Sequence, residues 1–180
     1  MIKGFFTGVA ATLVCAGLGG YLLLHSGRIP ANADAEPGAL ETWMAKTSLH
    51  ATLAREAPAG DGPVALTDAN LLEGVRLYAR NCAVCHGSAR GDAAASPIAK
   101  GLYQKPPQLA SDGVEDDPIG VSYWKIRHGI RLTGMPSFRD TLSETQIWTL
   151  ALFVSHMDKL PPSVQPAWQA VNNWPVVAGQ

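Results

Sequence analysis

Two cysteines and a histidine near the middle of the chain form the pattern with the clearest chemistry. Cys82 and Cys85 are separated by two residues, and His86 directly follows the second cysteine. Two thiols at this spacing can form thioethers to vinyl groups at one edge of a porphyrin, and the adjacent imidazole can then bind the iron. The pattern predicts one covalently attached haem of the c type, with His86 as the proximal ligand.

A structural disulfide and a half zinc site are the alternative interpretations of the two cysteines. A zinc site needs a second pair of Cys or His ligands at similar spacing, and the sequence contains none. The third cysteine, Cys15, lies in an apolar segment. The adjacent histidine favours haem attachment over both alternatives.

A methionine downstream is the candidate for the second axial ligand. Met135 lies between Gly134 and Pro136, two residues that favour an extended loop close to a cofactor. A thioether sulfur is a soft ligand that favours ferrous iron and raises the reduction potential. Methionine is more often core filler, and His128 and His156 are the competing ligands on downstream helices. We predict Met135 as the sixth ligand.

Length and composition limit the remaining interpretations. The 180 residues suit one modest domain with additional segments. Because the formal net charge is only −1, we expect no nucleic-acid partner. The cysteine usage indicates an oxidising compartment in which haem is attached after export.

The N-terminal segment has the composition of a membrane helix. Residues 4–24 contain no charged side chain, and this length matches the roughly 20 residues that cross a bilayer. Lys3 precedes the segment, which places the N-terminus in the cytoplasm and the following residues in the periplasm. The alternative is a signal peptide cleaved after Ala-Asn-Ala at residues 31–33, but the apolar run is long for such a peptide. We predict a single-pass anchor over residues 1–28.

Small residues recur along one face of this apolar segment. Such a face lets a second helix approach closely, although glycine is common in membrane helices generally. We expect a transmembrane partner helix along Gly4, Gly8, Ala11, Cys15 and Gly19.

Three further regions follow the anchor. Residues 29–66 are a linker rich in Pro, Ala and Gly, with a helical pattern at 40–56 that is expected on the membrane surface or against another subunit. Residues 67–160 form the predicted haem domain. The tail, residues 161–180, has three prolines within six residues and cannot build a core of its own.

The haem domain is expected to begin and end with helices that cross each other. Thr67 or Asp68 caps the first helix, which runs to about residue 81, and Gly74 allows close approach of another helix. The last helix is predicted from residue 144 to about 158. Its beginning, Ser143-x-x-Gln146, resembles a capping box.

The tail contains two tryptophans, Trp168 and Trp174. Two exposed tryptophans would be unusual on a free monomer. A disordered tail is the alternative, and we expect the tail to be docked along another surface.

Taken together, these motifs resemble those of class I cytochromes c over roughly residues 67–160, and with the anchor the chain is similar to bacterial membrane-anchored mono-haem c-type cytochromes. The resemblance implies an all-α cytochrome c fold around one covalent haem, preceded by a single transmembrane helix in the bacterial inner membrane. It also implies that His86 and Met135 are the axial ligands, and that a carbonyl of Pro106 or Pro107 orients the proximal imidazole. The residues that carry the resemblance are Gly74, Tyr78, the haem motif at 82–86, the methionine loop at 134–136, Leu150 and Phe153.

A basic group precedes the methionine loop. Lys125, Arg127, His128 and Arg131 are suited to neutralise the haem propionates or to dock an acidic partner, and a solvated helix face is the alternative. We take Arg127 as the candidate for cofactor binding.

The expected function is single-electron transfer with redox partner proteins in or at the membrane. The sequence contains no nucleophile and base in a catalytic pattern, so we expect no catalysis by this chain alone. One alternative is the haem subunit of a larger membrane enzyme: a periplasmic dehydrogenase, a haem–copper oxidase or a quinol-oxidising complex. Another is a five-coordinate haem protein that senses gas or reduces peroxide.

Overall fold

The computed structural model describes residues 2–89, 96–113 and 117–171. Within these ranges the ordered elements are helices and no strand occurs, which confirms the predicted all-α class. The chain divides into two units, Met1–Ala35 and Glu36–Gln180. The helices are α1 (Ile2–His25), α2 (Ala39–Glu56), α3 (Asp68–Asn81), α4 (Ala83–His86), α5 (Pro97–Gly101), α6 (Ile119–His128), α7 (Glu144–Val154) and α8 (Gln165–Gln169).

The first unit consists mainly of α1. This helix is long and apolar enough to cross a membrane by its length and composition, and none of its side chains is buried in the unit. The glycines at positions 4, 8 and 19 have no neighbouring atoms within 4 Å of an added Cβ. The predicted small face is therefore open along the helix.

In the second unit, α3 and α7 begin with the caps that the sequence predicts. The Thr67 side chain accepts the Asn70 N–H at 3.2 Å. Ser143 and Gln146 form a complete capping box at α7. Each cap satisfies N–H groups that the first turn of a helix leaves without partners.

Helix α7 ends at Val154, earlier than the predicted end near residue 158. The side chains just beyond it bond back to the helix: Ser155 Oγ donates to the Leu152 carbonyl, and His156 Nδ1 lies 2.9 Å from the same oxygen. Such local side-chain bonds compete with continuation of the helical ladder.

Helices α3 and α7 cross at Gly74, and this crossing is the centre of the core. A Cβ added at Gly74 would lie 2.5 Å from Phe153 Cβ and 3.1 Å from the Thr149 carbonyl oxygen. Only a residue without a side chain permits this approach. Tyr78, Leu150 and Phe153 are completely buried around the crossing.

The described part of the tail packs on the same crossing. Trp168, on α8, is 5% exposed, and its ring meets those of Tyr78 and Phe153 edge to face at centroid distances of 5.3 and 5.2 Å. The surface on which this part of the tail docks is therefore the domain's own core. Trp174 and the tail beyond Val171 lie outside the described residues.

Helix α2, which follows the Pro-rich linker, also packs within the second unit. Leu53 is buried, and Trp124 Nε1 on α6 donates to Glu56 at 3.3 Å. Near the other end of α2, Tyr103 donates to the Glu41 carboxylate at 2.8 Å. The N-terminal part of its outer face remains exposed at Leu40, Trp43 and Met44.

Candidate haem site

The two cysteines and the histidine lie on one tight turn between α3 and α5. Cys82 closes α3, and its carbonyl accepts the N–H groups of Cys85 at 3.0 Å and His86 at 2.9 Å. This helical turn places both thiols and the imidazole in one short stretch of backbone. Helix α4, which contains Cys85 and His86, was not predicted as a separate element.

The thiols have no partner that would support the alternative interpretations. All three cysteines are free, and the described ranges contain no group of three His, Cys, Asp or Glu side chains arranged to hold a metal ion. Burial, together with the neighbouring Cys85, raises the pKa of the Cys82 thiol to about 12.

His86 is oriented by a backbone carbonyl from the segment that follows α5. Its Nδ1 lies 2.9 Å from the Pro107 oxygen. A proton on Nδ1 donates this bond and leaves Nε2 as the unprotonated nitrogen that can bind a metal. Burial lowers the pKa of His86, which favours the same neutral form, while the bond to Pro107 acts in the opposite direction. Of the two prolines named in the sequence analysis, Pro107 is the one whose carbonyl lies here.

The methionine loop is built directly onto the end of α6. The Met135 carbonyl accepts the Ile130 N–H at 3.2 Å, and the Met135 N–H donates to Thr133 Oγ1 at 3.1 Å. Gly129 ends α6 with φ +67°, and a Cβ there would lie 2.7 Å from the Met135 oxygen. Gly129 thus permits both the left-handed turn and the close passage of the loop.

Gly129 belongs to the site but was not among the site residues predicted from the sequence. A glycine directly after a helical pattern is a recognisable helix-ending signal. That signal identifies the turn, but the passage of the methionine loop across it is visible only in the folded chain.

The segment of residues 102–107 contacts the surroundings of both candidate axial ligands. At one end, Leu102 lies so close to the methionine loop that a Cβ added at Gly134 would be 2.5 Å from Leu102 Cδ2. At the other end, Pro107 reaches His86. The Lys105 ammonium donates to the Leu102 carbonyl at 2.9 Å and holds the bend between them.

Tyr78 ties the core to the turn that carries the ligand. Its hydroxyl donates to the Gly87 carbonyl, directly after His86, at 2.9 Å. Because the residue is fully buried, the bond is shielded from water and the pKa of Tyr78 is raised. The α3–α7 crossing and the haem motif are thereby joined through one side chain.

Two of the four basic residues before the methionine loop, Lys125 and Arg127, are paired with carboxylates of the same domain. Arg127 Nε lies 3.3 Å from Glu144, at the beginning of α7, and Lys125 Nζ lies 2.8 Å from Asp117. Tyr123 also donates to Glu144. These contacts give Arg127 and Lys125 a role in fastening α6, and contact of Arg127 with a propionate stays a prediction.

Two aromatic side chains of α6, and the two histidines that compete with Met135 as ligands, have identifiable contacts. Tyr123 is buried and stacks on Trp148 at a centroid distance of 3.9 Å. Trp124 packs against the exposed His128 at 4.9 Å. His156 lies after α7 and lines a cleft with residues 61–66 and 117–119.

The donor set and its surroundings fit a covalent haem. The site offers two free thiols, an imidazole oriented through Nδ1, and a thioether on a loop fastened to α6. Several apolar side chains that pack against the core are only partly buried: Leu72, Cys82, Leu109, Met135, Phe138 and Leu142. Partly exposed apolar surface of this kind suits contact with a flat apolar macrocycle.

Comparison with known proteins agrees with this chemistry. Residues 69–154, from the beginning of α3 to the end of α7, match the family described as cytochrome c oxidase, cbb3-type, subunit III. No curated protein and no solved structure matches the chain. The matched segment contains the thiols, the imidazole, the methionine loop and both crossing helices, and it identifies this part of the chain as a class I c-type cytochrome domain, an electron carrier.

Proposed function

We propose that the protein is a membrane-anchored cytochrome that carries single electrons through one haem, attached to Cys82 and Cys85 and ligated by His86 and Met135. The observation that carries the proposal is the 2.9 Å contact between His86 Nδ1 and the Pro107 oxygen. It directs Nε2 away from the backbone in the form that binds iron. The haem, when bound, supplies a one-electron couple between Fe(III) and Fe(II).

The chain's own residues then determine how that couple behaves. Met135 provides a soft sulfur that favours the reduced state. The bond from the Ile130 N–H to the Met135 carbonyl closes the loop, and the bond from the Phe138 N–H to the Ile126 carbonyl ties its end to α6. We therefore expect little rearrangement of the loop on a change of charge. With His86 and Met135 both held on the iron, no position on the metal would remain for a substrate, and for this reason we propose a carrier without catalysis of its own.

The first experiment tests covalent attachment. Replacing both cysteines, Cys82→Ala with Cys85→Ala, removes the two thioether positions and should abolish haem that survives denaturation. A haem-stained denaturing gel measures this directly. Cys15→Ala is the matched control, because this exposed thiol lies on α1 and should leave the stain unchanged. A stained band from the double variant would refute attachment through these residues.

We further propose that α1 is retained as a single-pass anchor in the bacterial inner membrane, with the haem domain in the periplasm. Support comes from the apolar length of α1 and from Lys3 at its beginning.

A respiratory membrane complex is the partner we propose. The description of the matching family favours a haem–copper oxidase over a periplasmic dehydrogenase as its core. The face formed by Gly4, Gly8, Ala11, Cys15 and Gly19 would pack on a transmembrane helix of that complex. Gentle detergent purification of the native protein tests this: copurifying oxidase subunits would support the proposal, and a monomeric cytochrome would refute it.

A further inference from the structure

One side chain beside the proximal histidine has no place in the motifs described above. The Gln108 amide nitrogen donates to the Pro106 carbonyl at 3.1 Å and lies 3.5 Å from the Cys85 carbonyl. Its amide oxygen is buried and has no hydrogen-bond partner. Among the described residues, it is the only buried side-chain nitrogen or oxygen atom in this state. A buried polar group in this state has a cost in desolvation and calls for a reason.

The backbone of Gln108 is held in place independently of its side chain. Its N–H donates to the Asp112 carboxylate, and its carbonyl accepts the N–H groups of Ser111 at 2.9 Å and Asp112 at 2.8 Å. The tight turn that results fixes the direction in which the amide leaves the backbone. The side chain therefore reaches the haem motif from a firm base.

Three consecutive residues contact the haem motif. The Pro107 oxygen meets His86 Nδ1. The Gln108 amide lies 3.5 Å from the carbonyl of Cys85, the residue before His86. The Leu109 N–H donates to the His86 carbonyl at 3.3 Å.

We propose that Gln108 is a positioning residue that locks the Pro107 carbonyl against His86 by tying this segment to the haem motif, and thereby tunes the reduction potential. This inference rests on the proposed ligation of iron by His86. A proline nitrogen has no hydrogen to donate, so neither Pro106 nor Pro107 can anchor the segment through its own N–H. The Gln108 amide supplies an anchor in their place.

The expected consequences follow from the chemistry of imidazole. A firmly held bond from Nδ1–H to a carbonyl makes the other nitrogen a stronger donor to the metal. Stronger donation stabilises ferric iron and lowers the potential. Loosening the carbonyl should therefore raise the potential and expose the Nδ1 proton to solvent exchange. A glutamine that merely contributes stability would change neither quantity.

The experiment uses the full-length, haem-loaded protein with Gln108→Leu, which removes the amide at similar size. In the reduced protein, exchange of the His86 Nδ1 proton, followed by NMR, should accelerate by about tenfold, the scale of one lost hydrogen bond. The reduction potential of the haem should rise. Gln169→Leu, at an exposed glutamine of α8, is the matched control and should change neither.

A second variant keeps the inference testable if Gln108→Leu does not accumulate. Gln108→Asn retains the amide on a shorter arm that cannot reach Cys85, so both quantities should shift in the same direction. If both variants show the same His86 Nδ1 proton exchange rate and the same reduction potential as the wild-type protein, whatever their stability, the proposed role of Gln108 is overturned. A wild-type protein without covalent haem or without an Nδ1-protonated His86 would instead overturn the proposed function.

Discussion

At the scale of single residues, the site combines groups of fixed chemistry with neighbours that orient them. His86 and Met135 are the two candidate ligands. Each is positioned by residues that are not its immediate neighbours in the sequence. Pro107 reaches His86 across 21 positions, and Gly129 gives the methionine loop its path. Ligand type sets what the iron can do, while these neighbours set geometry and potential.

Met135→Ala tests the sixth ligand. The variant should retain covalent haem, because both thiols are untouched, but its potential should fall since the sulfur that favours ferrous iron is lost. Redox titration measures the potential, and rapid carbon monoxide binding by the reduced variant would report an open position. Met44→Ala, at an exposed methionine of α2, is the control. An unchanged potential in Met135→Ala would exclude Met135 as a ligand.

At the scale of elements, the crossing of α3 and α7 supports the site. The crossing orients Tyr78, whose hydroxyl reaches the residue after His86. It also forms the platform on which α8 docks through Trp168. Changes in this packing should therefore affect stability first and the haem environment second.

Gly74→Ala tests the closeness of the crossing. The new Cβ would lie 2.5 Å from Phe153 Cβ, so the substitution should overpack the crossing. The better helix propensity of alanine offsets part of this cost, and the net decrease in the free energy of unfolding should be about 1–2 kcal/mol. Denaturant unfolding followed by far-ultraviolet circular dichroism measures the change. Gly101→Ala, where an added Cβ meets nothing within 4 Å, is the control. Equal stability of the two variants would contradict the close crossing.

Trp168→Ala tests the contribution of the tail. Removing this buried ring from Tyr78 and Phe153 should cost about 3–5 kcal/mol, as for other large aromatic side chains in cores. Trp43→Ala removes a ring that is 63% exposed and should change stability by less than about 0.5 kcal/mol. Both values come from the same unfolding measurement. A negligible loss at Trp168 would show that α8 does not belong to the core in solution.

At the scale of the whole molecule, the chain joins an apolar helix to a compact helical domain. These are the first and second units, and the proposed function requires that they remain one polypeptide. As the proposed anchor, α1 would restrict the cytochrome to the membrane surface and raise its effective concentration for a membrane-bound partner.

Retention of α1 has a direct test. The native protein should stay in the membrane pellet after alkaline carbonate extraction, because a helix of this apolar length inserts essentially irreversibly. The intact mass of the purified protein should include the segment before Ala33. A mature N-terminus at Asp34, with the protein in the soluble fraction, would show that the segment is a cleaved signal peptide.

The sequence by itself determined the features that depend on residue type and short spacing. The CxxCH pattern indicated the cofactor, the caps at Thr67 and Ser143 gave the beginnings of α3 and α7, and the apolar run gave α1. Each of these features depends on residues close together in the sequence, where local sterics and hydrogen bonding dominate. Gly74 also predicted a crossing, since the absence of a side chain is readable in the sequence.

Only the tertiary structure decided which distant groups meet. It placed the carbonyl of Pro107 at His86, turned Gln108 toward Cys85, and paired Arg127 with Glu144. It also directed Trp168 into the core, where the sequence suggested docking on an unspecified surface. These contacts depend on the closure of long loops around a shared core, and no local pattern of residues encodes the point at which such loops come together.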